Sequence, residues 1–245
     1  MAGHSKWANI KRRKAVVDVR RGKLFTKCSK EIIVASRLGG GDPDSNARLR
    51  MAIENARGVS MPVENIRRAI QRGTGEIEGV VYEDVTYEGY GPLGVAMIVV
   101  CTTDHRNRTT QELRATFSKY GGNLGETNSV SWGFTRRGQI RVEATATEEE
   151  FLEHGLNAGV DDVHVIDDGA VMFCSVESLG TSANALTARG LTVREQHIVY
   201  EPQTLVDCSS DAQQTIMLHK MLDVLDDNDD VQNVFHNADL PDEDE

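Results

Sequence analysis

The residues best suited to chemistry lie at the start of the chain. Ten of the first thirty are Lys or Arg, and Asp18 is the single acid among them. Lys6, Lys11, Arg12, Arg13, Lys14, Arg20, Arg21, Lys23, Lys27 and Lys30 are interleaved with His4 and Trp7. Cationic side chains neutralise phosphates and release condensed counterions, and an aromatic ring can stack on a base. The stretch therefore suits nucleic acid. A merely solubilising arm is the competing reading. It fits poorly with a chain whose formal net charge is −11. Residues 1–75 hold 17 Lys/Arg against 6 Asp/Glu, whereas residues 76–245 hold 10 against 32. Such asymmetry marks one end as facing a polyanion. No zinc-finger spacing, RRM signature or groove-reading helix motif accompanies the basic residues, so sequence readout is not implied.

A second constellation, Asp104-His105-Arg106-Asn107-Arg108-Thr109, follows a predicted strand and opens a predicted helix. Helix N-terminal amides with the guanidinium groups of Arg106 and Arg108 suit a phosphate. The alternative is structural: Thr103 or Asp104 caps the helix and the arginines pair with nearby acids.

Other patterns point away from chemistry. Gly89-Tyr90-Gly91-Pro92-Leu93-Gly94 spells GxGxxG, but a strand rather than a helix follows, and Pro92 lacks a backbone donor. A hairpin turn is expected there. Asp226-Asp227-Asn228-Asp229-Asp230 opens like a calcium loop, yet Val231 and Asn237 stand where Gly and Glu are needed, which leaves a polar helix-to-strand connection. Cys28, Cys101, Cys174 and Cys208 stand singly, and the seven histidines show no His-x-x-x-His. Reduced thiols and no metal site are expected. Nothing local pairs a nucleophile with a base, so the expectation is no enzyme, with no catalytic residue, cofactor or small-molecule substrate. The longest apolar run, Val95–Cys101, is far short of the ~20 residues of a membrane span, and no apolar segment near the N-terminus marks export. A cytoplasmic location without a membrane partner follows as an expectation.

The elements that must carry these residues read as α+β. Leu24, Cys28, Ile32 and Ala35 form one helical stripe, stopped by Gly39-Gly40-Gly41-Asp42-Pro43. Asp44 or Ser45 can cap a second helix that Gly58 follows, and Pro62 opens a third, ended by Gly73-Thr74-Gly75. Strands are expected at Val80–Tyr87, Leu93–Cys101 and Val130–Phe134, with a helix over Asn107–Tyr120. From Gln139 to Tyr200 the order is β-α-β-β-α-β, the ferredoxin-like order, with Asp167-Asp168-Gly169 as its central hairpin turn. A helix over Asp211–Leu225 and a strand at Val231–His236 remain. Three domains are expected: a basic arm with a small three-helix domain (1–78), a discontinuous domain (79–135 with 204–245), and a domain inserted into it (136–203), both of the latter ferredoxin-like.

The blocks MAGHSKWANIKRRK, RGKLFTK, LGGGDPDSNARLR, YEGYGP, DHRNRT and FSKYGGNLG, collinear from Met1 to about Asn237, resemble the YebC/PmpR family. The resemblance begins at Met1, and no transit peptide is expected. It implies three domains, the third inserted in the second, in a cytoplasmic, cofactor-free bacterial protein described as a DNA-binding transcriptional regulator. Organellar relatives are translational activators, which keeps ribosomal RNA or the ribosome as the alternative partner. The family brings no catalytic residues. Its basic blocks map onto Lys6, Lys11, Arg12, Arg13, Lys14, Arg21, Lys23 and Lys27, and its loop motif onto Arg106, Asn107 and Arg108. Leu93 departs from the family pattern, in which Gly often follows GYGP, and implies a different turn geometry.

Overall fold

The computed structural model describes residues 21–240. Seven α-helices and ten short or long strands are formed among them. The first helix, α1 (Arg21–Gly39), ends where Gly40 takes φ +87°. In α2 (Ala47–Gly58) the cap is Asn46 rather than Asp44 or Ser45. Its Oδ1 accepts from the Leu49 N–H at 3.1 Å, while its Nδ2 donates to the carbonyls of Ala35 and Gly40, both at 2.8 Å. One amide thus serves the start of α2 and the end of α1, which neither a carboxylate nor a hydroxyl can do. Asn46 is 6% exposed, so Asn46→Ala should lower stability by about 1–3 kcal/mol in urea unfolding. Helix α3 (Val63–Thr74) enters through Pro62 and leaves through Gly75 at φ +83°.

Two compact units emerge among the described residues: 21–30 with 79–135 and 201–240, and 31–78 with 136–200. In the first, β1 (Glu83–Tyr90) and β2 (Ala96–Thr103) pair antiparallel. Their turn is closed by the Val95 N–H on the Pro92 carbonyl at 3.2 Å, with Leu93 at φ +62° and Gly94 at φ +72° between. Two left-handed central residues match the right-handed twist of a hairpin. Leu93 thus holds without strain relief a conformation that glycine adopts freely, and it packs against the core below. Met97, Val99 and Cys101 on one face of β2 meet Leu113 and Phe117 of α4 (Arg106–Lys119) and Leu218, Met221 and Leu225 of α7 (Ala212–Asp227). With β3 (Asn123–Leu124) and β9 (Val231–His236) the sheet order is β3-β1-β2-β9. A parallel pair, β8 (Val206–Asp207) and β10 (Ala238–Asp239), lies apart from it in the pairing.

Val130–Phe134, expected as a strand, is a 3-10 turn over Ser131–Gly133, and the next strand starts at Phe134. The reason is Glu88. Its carboxylate accepts the backbone N–H groups of Asn128 (2.9 Å), Val130 (2.9 Å) and Ser131 (2.8 Å), which a ladder would otherwise need.

The second unit carries β4 (Phe134–Glu143), α5 (Glu148–Asn157), β5 (Asp162–Ile166), β6 (Gly169–Cys174), α6 (Leu179–Ala188) and β7 (Thr192–Pro202). The sheet order is β5-β6-β4-β7, the ferredoxin-like arrangement. Asp167-Asp168 turns β5 into β6, and a Cβ on Gly169 would sit 2.0 Å from the Val142 carbonyl oxygen. Thr147 and Glu150 form a capping box on α5. Ile140, Val142, Ala170 and Met172 pack under Phe151 and Leu186.

Candidate nucleic-acid interface

Lys6, Trp7, Lys11, Arg12, Arg13, Lys14 and Arg20 lie outside the described residues. Arg21 opens α1. Farther along that helix, Lys23, Lys27 and Lys30 recur at spacings of four and three, which puts them on one face. All three reach the end of α7 and the loop after it. Lys23 Nζ donates to the Asp227 carbonyl at 3.1 Å and lies 3.3 Å from its carboxylate. Lys27 Nζ donates to the Asp226 carbonyl at 3.2 Å. The last carbonyls of a helix lack intrahelical partners and carry the negative end of its dipole, so ammonium groups stabilise them.

Lys30 goes deeper. Its Nζ donates to the Asp229 carbonyl at 2.8 Å, the Thr102 carbonyl at 3.3 Å and Asp230 Oδ1 at 2.8 Å. Asp230 Oδ2 accepts from Thr103 Oγ1 (3.1 Å), Thr109 Oγ1 (2.8 Å) and Arg108 Nη2 (2.7 Å). Burial opposes the charge of Asp230, but the hydrogen bonds from Lys30, Arg108 and Thr109 prevail and hold its carboxyl far below the usual range. The neighbouring Cys101 thiol is pushed up to about 12, by burial first and by the Asp230 charge second. Beside this site the β2–β9 register shifts: Val100 pairs with Asn233 and Cys101 with Val231. The resulting bulge bends the chain just after Asp230.

Arg108 follows the structural alternative. It bonds Asp104 at 2.9 Å as well as Asp230, and the cap of α4 is neither Thr103 nor Asp104. His105 Nδ1 accepts the Arg108 N–H at 3.1 Å, while Thr103 Oγ1 accepts the His105 N–H at 3.0 Å. Arg106 and Asn107 are exposed on the first turn of α4. The structure therefore brings Lys23, Lys27 and Arg108 together on one acidic segment, Asp226–Asp230, which is the end of α7 and the loop after it, and leaves Arg106 facing solvent.

One residue was missed by the sequence reading. Trp132 is 74% exposed. Its indole Nε1 donates to the Ser129 carbonyl at 3.0 Å, and the Tyr90 hydroxyl donates to the same oxygen at 3.3 Å. Both polar tips share one carbonyl, and the indole ring stays exposed. The two rings border a shallow cavity with Val130, Phe134 and Asn237. Placing Trp132 in a strand had hidden it. The signal available was the Asn-Ser cluster before it, which favours a turn. Among the described residues no group of three or more His, Cys, Asp or Glu is placed to hold a metal ion, and no helix is long and apolar enough to cross a membrane.

Comparison with known proteins places this geometry in a family. Residues 5–76 match the family model described as TACO1/YebC protein N-terminal domain, and residues 82–238 that described as TACO1/YebC second and third domain. A probable transcriptional regulatory protein of Methylacidiphilum infernorum is 49% identical over 244 residues, covering 99% of this chain and 98% of that one. A protein of the same name from Dictyoglomus turgidum is 47% identical over 245 residues, with the same coverage of 99% and 98%. A solved structure, a conserved hypothetical protein from Aquifex aeolicus, matches with a TM-score of 0.87 at 44% identity, over 94% of this chain and 95% of that one. The chain belongs to the TACO1/YebC family.

Proposed function

We propose that this protein is a non-enzymatic, nucleic-acid-binding regulator of gene expression that works in the cytoplasm without a cofactor, as a DNA-binding transcriptional regulator using its basic N-terminal arm. The observation that carries the reading is the charge division: 17 Lys/Arg against 6 acids in residues 1–75, and 10 against 32 in the remainder. An acidic body repels phosphates, so contact is confined to one end and one orientation. The name given to the two bacterial relatives, probable transcriptional regulatory protein, supports the same reading.

A second reading, a translation factor that binds ribosomal RNA or the ribosome, draws support from Trp132. An exposed indole stacks on unpaired bases, which RNA loops offer and a closed duplex does not.

The test is co-sedimentation with ribosomes, in parallel with binding to genomic DNA fragments, across a salt series. It uses the full chain and the variant Lys11→Ala/Arg12→Ala/Arg13→Ala/Lys14→Ala. Loss of four phosphate contacts should reduce the slope of log affinity against log salt on duplex DNA by about 3–4. Salt-resistant enrichment of particular DNA fragments without ribosome association supports the regulator. Salt-resistant ribosome binding, with only weak and sequence-blind DNA binding, supports the translation factor. An unchanged slope in the variant removes the arm from either role.

A further inference from the structure

We infer that the loop Asp226-Asp227-Asn228-Asp229-Asp230 is an internal competitor that holds Lys23 and Lys27 against nucleic acid and so lowers non-specific binding. The inference rests on the reading of the arm as a nucleic-acid interface.

The three lysines of α1 are held with different permanence. Lys30 and Asp230 have side chains 8% and 6% exposed, and that pair is a fixed part of the fold. Lys23 and Asp227 are 43% and 49% exposed, and ion pairs so wetted contribute little. Lys27 bonds the adjoining Asp226 carbonyl in an exposed setting. Two exchangeable contacts therefore sit one and two turns from a permanent one, at the point where the basic arm enters the helix.

The acceptors resemble what they displace. Two helix-terminal carbonyls and the Asp227 carboxylate present oxygens to the two ammonium groups, as a phosphodiester backbone does. A phosphate that takes Lys23 or Lys27 must first displace these contacts, so their strength is subtracted from the binding of any polyanion that reaches the helix. Scattered or weakly held nucleic acid meets the arm alone. A ligand that fits the arm also takes Lys23 and Lys27 from the loop. The loop thus subtracts two cations from indiscriminate binding and returns them to a well-seated partner.

The experiment compares the full chain with Asp226→Asn/Asp227→Asn, and with a control of equal charge change, Glu148→Gln/Glu149→Gln. Binding to a random-sequence duplex DNA and to a random single-stranded RNA is followed by anisotropy across a salt series. Acetylation of Lys23 and Lys27 is followed by mass spectrometry, with Lys119 as reference. The loop variant keeps both carbonyls but loses the acidic charge beside them, and it should bind more tightly at low salt, with a slope steeper by about 0.9 for Lys23, whose carboxylate partner is removed. Its Lys23 should acetylate faster, with a smaller gain at Lys27, whose carbonyl acceptor is retained, while the Glu148/Glu149 variant should match the unaltered chain. Equal gains in both variants would reduce the effect to net charge and overturn the inference. Unaltered chain and loop variant binding alike, with unaltered lysine reactivity, would overturn the inference and leave the arm's role standing. No nucleic-acid binding by any of the chains would overturn both.

Discussion

Asp230→Ala should destabilise the protein by about 3–5 kcal/mol, the scale of removing one partner from a buried ion pair. The substitution leaves the Lys30 ammonium, in a residue 7% exposed, without its counter-charge. It also strips the acceptor from the hydroxyls of Thr103 and Thr109, both fully buried, and from one bond of Arg108. A second substitution separates charge from packing. If Lys30→Met is added, the ammonium no longer needs a partner, and the double variant should lose less than the sum of its parts. The pH dependence has a definite sign. The folded-state pKa of Asp230 lies below its unfolded value, so its contribution is fully present above about pH 4. It is lost as pH falls below that point toward the folded-state pKa. The gap between the unaltered chain and Asp230→Asn, measured by urea unfolding, should be constant from pH 8 to 5 and narrow below about pH 4. A loss of under about 1 kcal/mol, the range of exposed pairs, would mean that water replaces the network freely.

Glu88→Ala is expected to cost about 2–4 kcal/mol, because hydrogen bonds to a charged group are the stronger kind and three amides lose theirs together. Glu88 is 5% exposed. Burial works against its charge, yet the amides of Val130, Asn128 and Ser131 outweigh it and hold the carboxyl below the usual range. Glu88→Gln keeps acceptor capacity on one oxygen and should fall between the two. A local readout accompanies the global one. Trp132 follows the stapled segment directly, so its emission in a Trp7→Phe background should shift and gain mobility in Glu88→Ala before global unfolding. Identical anisotropy of that emission in both chains would show that the turn holds its shape without the carboxylate.

The helices and the β-α-β-β-α-β order were legible because their signals are local. Gly75 ends α3 at a positive φ, and Asp167-Asp168 makes the hairpin. What escaped was settled by partners far along the chain. Asn46 displaced Asp44 and Ser45 as a cap because Ala35 and Gly40 required a donor. The strand pattern of Val130–Phe134 was overruled by a carboxylate on another strand. Lys23 and Lys27 read as phosphate-binding cations, since nothing near them in sequence announces the carbonyls of Asp227 and Asp226, 204 and 199 residues away respectively. Arg108 was half legible. Its local acid, Asp104, lies four residues off, whereas Asp230 is 122 away. Interfaces written in charge composition are visible early, but which charges are already engaged is decided by tertiary pairing.

The separation of 200 residues between Lys30 and Asp230 also has a meaning during synthesis. At elongation rates of ~5–20 residues per second, the lysines of α1 wait roughly 10–40 s for their acidic partner to be made. The unit formed by residues 31–78 and 136–200 has all its chain before that moment; the other does not. From its own synthesis until then β2, apolar along most of its length, keeps one edge without β9, and an open apolar edge invites wrong pairing. The nascent protein therefore carries its basic helix without the acidic partners, and one sheet edge open, while still tethered to the ribosome, and translation of residues 226–236 both completes the sheet and supplies those partners.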